Sequence, residues 1–106
     1  MGGHESLSIG LAHTSQFAYV LGLSAAAAGV AQDPALANLN PKTANLRLLW
    51  VSCSTDDSLS PLNHDFVDWL HSKGMTVNYV QTPGTHTWSV WQNNLAHFAP
   101  LLFQPK

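Results

Sequence analysis

Two aspartates, Asp56 and Asp57, close one hydrophobic run of the chain, and a histidine, His86, follows the next. A carboxylate that orients an imidazole, which in turn takes a proton from a hydroxyl, is the constellation for acyl transfer: the acid fixes the tautomer and stabilises the imidazolium. The run at 46–57, Leu-Arg-Leu-Leu-Trp-Val-Ser-Cys-Ser-Thr-Asp-Asp, reads as a strand buried on both faces that opens into a loop. Residues 75–81, Met-Thr-Val-Asn-Tyr-Val-Gln, read as a second such strand, leading through Thr82, Pro83, Gly84 and Thr85 to His86, Thr87 and Trp88. Chemistry in an α/β sheet sits just beyond the carboxyl ends of parallel strands. If these two strands are parallel neighbours, His86 and an aspartate meet above one edge of the sheet.

Each of these residues also has a plain structural use. His86 could cap the last helix, and Asp57 could close a turn, as Asp commonly does. Ser54 and Ser58 read first as loop hydroxyls, with Ser54 the candidate for a replacement nucleophile. Cys53, the single cysteine, excludes an intrachain disulfide and reads as an inert core thiol. His4 and Glu5 are adjacent, and adjacent helix positions do not face each other. His64, Asp68 and His71 share a helical face, which reads as a solvated surface and not as a zinc site; no metal is expected.

The elements that must position these groups follow in order. Residues 4–15 read as a helix, in which Gly2, Gly3 and Gly10 permit close approach to a packed neighbour. Residues 17–24 read as a strand. Residues 25–43 read as a loop with one short helix at 34–39, Asp33 capping it and Pro34 in its first turn. After the strand at 46–54, Ser60-Pro61 opens a helix to about Ser72, with Leu62, Phe66, Trp69 and Leu70 on one apolar face and Lys73-Gly74 as its stop. The strand at 75–81 follows. Trp88, Trp91, Leu95, Phe98 and Leu102 then line one side of a final helix, with Pro100 near its end. Strands alternating with helices imply a parallel sheet with right-handed crossovers.

Composition narrows the function classes. The 106 residues allow one domain at most. Lys42, Arg47, Lys73 and Lys106 form no cluster and the net charge is -2, which disfavours nucleic acid and anionic membranes as partners. Only 9% of residues are charged against 45% hydrophobic, so part of the apolar surface is expected to meet another chain. No leader pattern opens the sequence, so a cytoplasmic location is expected. The apolar run at 21–30 is too short to span a bilayer. No Gly-rich phosphate loop occurs, and no cofactor is expected.

The run at 1–13, Met-Gly-Gly-His-Glu-Ser-Leu-Ser-Ile-Gly-Leu-Ala-His, with Phe17-Ala18-Tyr19-Val20 and Ser24-Ala25 behind it, resembles the esterase D-like, or feruloyl esterase, branch of the α/β-hydrolases. Residues 48–59 are similar to that family's C-G-T-x-D-x-L segment, with Ser54 where the family has glycine, and residues 83–91, Pro-Gly-Thr-His-Thr-Trp-Ser-Val-Trp, to its G-G-x-H-x-W-x-x-W segment. The resemblance implies an α/β fold of about three parallel strands flanked by helices, corresponding to the carboxyl-terminal part of a family member truncated after the nucleophile serine. It implies carboxylic ester hydrolysis, with Asp57 as the triad acid and His86 as the base. Met1 falls on the residue after the nucleophile, whose backbone N–H is an oxyanion donor, with Gly2 beside it, and Trp88 falls at the site mouth. A site completed by a substitute nucleophile or by a second subunit is expected, with a homo-oligomer forming through the bare edge of the strand at 17–24. The alternative is a folded, self-associating, non-catalytic remnant.

Overall fold

A computed structural model describes residues 1–105. Helix α1 (Gly2–Ala12) leads to strand β1 (Tyr19–Leu23); strand β2 (Leu48–Ser54), helix α2 (Ser60–Ser72), strand β3 (Asn78–Thr82) and helix α3 (Trp88–Phe98) follow. The strands form one parallel sheet in the order β1-β2-β3, with Tyr19 opposite Leu48 and Trp50 opposite Asn78. The fold is the α/β arrangement that the alternation of elements predicts.

Alternation along β2 separates the two faces of the sheet. Leu49 and Val51 join a buried cluster with Leu7 and Leu11 of α1 and Phe66, Val67 and Leu70 of α2. Trp50 turns the other way, its ring 5.9 Å from that of Phe98 on α3. All seven residues of β2 are buried, as expected for a central parallel strand covered on both sides. The polypeptide between β1 and β2 adds Ala25, Ala27, Val30, Leu36 and Leu39 to the core. It includes one 3-10 turn (Pro34–Leu36), where Asp33 accepts a hydrogen bond from the Ala35 amide at 2.9 Å.

Helix α1 lies close on β1 because glycines face the contact. A Cβ on Gly3 would stand 2.8 Å from the Ala25 Cβ, and one on Gly10 would stand 2.8 Å from Val20. Gly2, expected to serve the same purpose, faces open space.

Several details differ from the sequence reading: α1 spans Gly2–Ala12 and not 4–15, and β1 and β2 each start two residues later, at Tyr19 and Leu48. The third strand starts at Asn78, because Met75 completes the stop of α2: its amide bonds the Leu70 carbonyl at 3.1 Å and its side chain is buried. Helix α2 opens at Ser60-Pro61 as expected, but Ser60 does not cap it: the N-cap is Leu59, with no side-chain bond. Helix α3 buries Val90 and Asn94, leaving Trp88 at 70% and Leu95 at 54% exposure, then tightens into a 3-10 turn at Ala99–Leu101, where Pro100 cannot continue the α-helix. Among the described residues no helix is long and apolar enough to cross a membrane.

Candidate active site

The register of the sheet places the site. Ser54 pairs with Thr82, so β2 and β3 end side by side, and their ladder continues into the loops: the Thr55 amide donates to the Thr82 carbonyl at 2.9 Å and the Asp56 amide to the Gly84 carbonyl at 3.2 Å. The aspartate loop and the histidine loop are thereby joined. Gly84 makes the turn between them, with φ at +118°, where a side chain would be strained.

Asp57 folds back as a turn: its amide bonds the Ser54 carbonyl at 3.1 Å and its Oδ1 accepts the Leu59 amide at 2.9 Å. Its other oxygen, Oδ2, lies 2.8 Å from Nδ1 of His86. An ionised carboxylate only accepts, so Nδ1 is the donor in this contact, and in the neutral imidazole that arrangement leaves Nε2 with its lone pair. Burial is unequal across the pair: the Asp57 side chain is 1% exposed and that of His86 is 49%. A carboxylate screened from water holds its partner strongly, while the imidazole keeps one side open to a reactant. Asp57 combines the turn-closing use with the pairing. Asp56 is exposed, and the carboxylate that pairs with His86 is that of Asp57.

Aromatic side chains stand around the histidine. Trp91 meets the His86 ring edge to face, with centroids 5.0 Å apart, and Trp88 meets Trp91 in the same manner at 5.8 Å. Trp88 is exposed to solvent on the far side of Trp91 from His86 in this chain of contacts.

The remaining candidates sit differently. Ser54 is fully buried and its Oγ has no hydrogen-bond partner among the described residues. A nucleophile must meet its substrate, and a hydroxyl sealed at the end of β2 does not: the structure corrects the expectation for Ser54, whose position inside an all-buried strand is the cause. Met1 and Gly2 are exposed at the start of α1. Gly3 abuts Ala25 and the Leu23 carbonyl, so this helix start stands beyond the carboxyl end of β1, at the same rim as the Asp57–His86 pair. His64 and Asp68 approach to 3.4 Å on the exposed face of α2, with Asp65 and not His71 as the third group near them.

Cys53 lies beneath the site. Burial, and next the Asp57 carboxylate, push its thiol up from 9.0 to about 11. At pH 8 the thiolate is then about one part in a thousand, and alkylation of the native protein is expected to be negligible until it unfolds. Because the folded state holds this proton more tightly than the unfolded chain does, the stabilisation is complete below about pH 9 and is lost as pH rises toward about 11. Tyr79, raised chiefly by burial, acts in the same direction. Urea titrations at stepped pH should show a loss of ~2–3 kcal/mol across that window.

Residues 24, 63 and 91 escaped the sequence reading of the site. Asn63 is 0% exposed and donates through Nδ2 to the Ala25 carbonyl at 2.8 Å and the Leu59 carbonyl at 2.9 Å, tying together the loops after β1 and β2. Its place among Phe66, Val67 and Leu70 on the buried face of α2 was the available signal.

The sequence matches no family model and no curated protein. Solved structures do match the fold. A ferulic acid esterase superposes with a TM-score of 0.75 at 19% identity, over 94% of this chain and 46% of that one. An S-formylglutathione hydrolase from Staphylococcus aureus gives 0.71 at 21% identity, over 95% and 47%. A fluorophosphonate-binding serine hydrolase from the same organism gives 0.78 at 18% identity, over 97% and 51%. The chain spans about half the length of these structures. The likeness establishes the fold: a three-stranded parallel α/β unit that superposes on about half of each of these structures.

Proposed function

We propose that the chain belongs to carboxylic ester hydrolysis, with His86 as general base and Asp57 as the group that orients it. The observation that carries this reading is the 2.8 Å contact between a buried carboxylate and a half-exposed imidazole at the carboxyl rim of a parallel sheet. Nε2 of His86 takes the proton of an attacking O–H as the oxygen adds to the ester carbonyl. Asp57 stabilises the imidazolium so formed, and the proton then passes to the departing alkoxide, releasing the alcohol and leaving the acyl group on the attacking oxygen. Water, deprotonated by the same Nε2, then adds to that acyl carbonyl, and return of the proton to the attacking oxygen frees the acid and restores the hydroxyl. The names of the similar structures, an esterase and two hydrolases, support the reaction class. The correspondence with the carboxyl-terminal half of such enzymes rests on the chain order, Asp57 after one strand and His86 after the next.

In this reading the attacking hydroxyl comes from outside the buried Ser54, and a second copy of the chain supplies it. The free side of β1 supports association: it borders a cleft of about 530 Å3 lined by Glu5, Ile9, Phe17, Tyr19 and Leu21, with Ile9 and Phe17 well exposed. Light scattering at micromolar concentration should report a dimer or larger; a stable monomer contradicts this part of the proposal.

Hydrolysis of p-nitrophenyl acetate tests the chemistry. His86→Ala is expected to reduce the rate to that of buffer, and mass spectrometry after an irreversible phosphonate label should find the adduct on an exposed serine. A rate unchanged by His86→Ala places the activity elsewhere and overturns the proposal.

A further inference from the structure

We propose that Ser24 and Trp91 form a strut that fixes the plane of the His86 imidazole, making both positioning residues for the Asp57–His86 pair; the inference rests on the catalytic reading of that pair.

The contact with Asp57 fixes one atom of the ring, Nδ1, and leaves the rest free to swing about that point on its open side. A second constraint is needed to aim Nε2, and the only aromatic ring recorded against His86 among the described residues is Trp91, at 5.0 Å and 85°. Such edge-to-face contacts are favourable beyond the area they bury and bias a ring's orientation. Trp91 is itself tethered: its indole N–H donates to Oγ of Ser24 at 3.0 Å, across 67 positions of sequence.

Ser24 is a costly residue at its position. It sits immediately after β1 with φ at +49°, in the left-handed region that strains a residue carrying a Cβ. Glycine would adopt that backbone freely but would offer no acceptor to the indole. The foot of the strut is held from several directions: the Ser24 amide donates to the Ser52 carbonyl at 2.7 Å, Asn63 holds the Ala25 carbonyl, and Nδ1 of His4 holds the Ala26 carbonyl at 2.6 Å. Helices α1, α2 and α3 thus all converge on residues 24–26, which have no direct contact with Asp57 or His86 among the recorded hydrogen bonds. The arrangement is that of an anchor whose hydroxyl meets the Trp91 indole on one side and the Cys53 thiol on another.

Three variants of the chain, Ser24→Gly, Ser24→Asn and Trp91→Phe, separate positioning from folding. Ser24→Gly relieves the backbone strain, so its urea midpoint is expected to equal or exceed that of the parent. Its Trp91 indole N–H should exchange with solvent faster, and its His86 ring resonances should broaden and shift toward those of a free imidazole. Ser24→Asn tolerates the same backbone and restores an acceptor oxygen, so the parent spectrum should return in large part. Trp91→Phe keeps a ring but deletes the donor and should resemble Ser24→Gly. Where hydrolysis is measurable, kcat should fall roughly ten- to a hundredfold with KM little changed. The spectra are read on the folded chain whether or not it turns over ester, so absence of hydrolysis overturns the catalytic reading alone. His86 resonances and indole exchange that stay at parent values in both Ser24→Gly and Trp91→Phe overturn the strut. If Ser24→Gly does not fold, Trp91→Phe decides.

Discussion

Asp57→Asn is expected to lower ester hydrolysis by roughly 10⁴-fold while the chain stays folded, a loss of about 5.4 kcal/mol of transition-state stabilisation. The amide keeps an oxygen for the Leu59 amide, the bond that closes the turn at 2.9 Å. Its nitrogen, however, is turned toward Nδ1 of His86 and donates where the carboxylate accepted. The imidazole must then move its proton to Nε2, so the nitrogen meant to act as base carries a hydrogen instead. The order of magnitude is that known for this substitution in serine hydrolases, where geometry survives and the tautomer is wrong. Measuring kcat/KM alongside the urea midpoint checks both halves: a collapsed rate with a preserved midpoint is the expected pattern. A rate within tenfold of the parent removes Asp57 from the chemistry.

Leu7→Ala is expected to cost about 3 kcal/mol of stability, within the 2–5 kcal/mol range for emptying a buried leucine site. Leu7 is 0% exposed and occupies the space that Gly22 leaves open in the middle of β1, where a Cβ would lie 2.8 Å from its Cγ. Neighbours already in close contact have little freedom to collapse into the hole. For a domain of this size the thermal midpoint should fall by roughly 10–20 °C. Leu62→Ala is the control: at 37% exposure on α2 it should change stability by no more than about 0.5 kcal/mol. Comparable losses in the two variants would contradict the assignment of the core.

The parts of the site that the sequence made legible are those written in local pattern. A fully apolar strand ending in hydroxyls and carboxylates marks the end of β2, and turn residues before His86 mark the end of β3. The extent of helix α2 and its Lys73-Gly74 stop were equally plain, but its buried face is Asn63, Phe66, Val67 and Leu70, with Leu62 exposed and Trp69 half-buried where the apolar stripe placed them inside. What stayed hidden depends on pairs far apart in the chain. The bond between Trp91 and Ser24 has no local signature, and the left-handed backbone of Ser24 is carried by a residue type that does not advertise it. The last helix misled because its tryptophans and leucines form a clean stripe, yet the sheet is covered by the Val90–Asn94 side. Asn94 spends its Nδ2 on the Val90 carbonyl at 3.1 Å and so takes a core position that polarity alone argued against. Ser54 was misjudged for the opposite reason: nearness to the acid in sequence did not bring its hydroxyl to the surface.

The central claim is that Asp57 holds His86 with its proton on Nδ1 and its Nε2 bare. Long-range proton–nitrogen spectra of the imidazole, recorded near pH 8, address it directly. A protonated Nδ1 with a bare Nε2 in the parent, reversed in Asp57→Asn, is the predicted result. A parent His86 whose two nitrogens are averaged, or whose proton sits on Nε2, contradicts it.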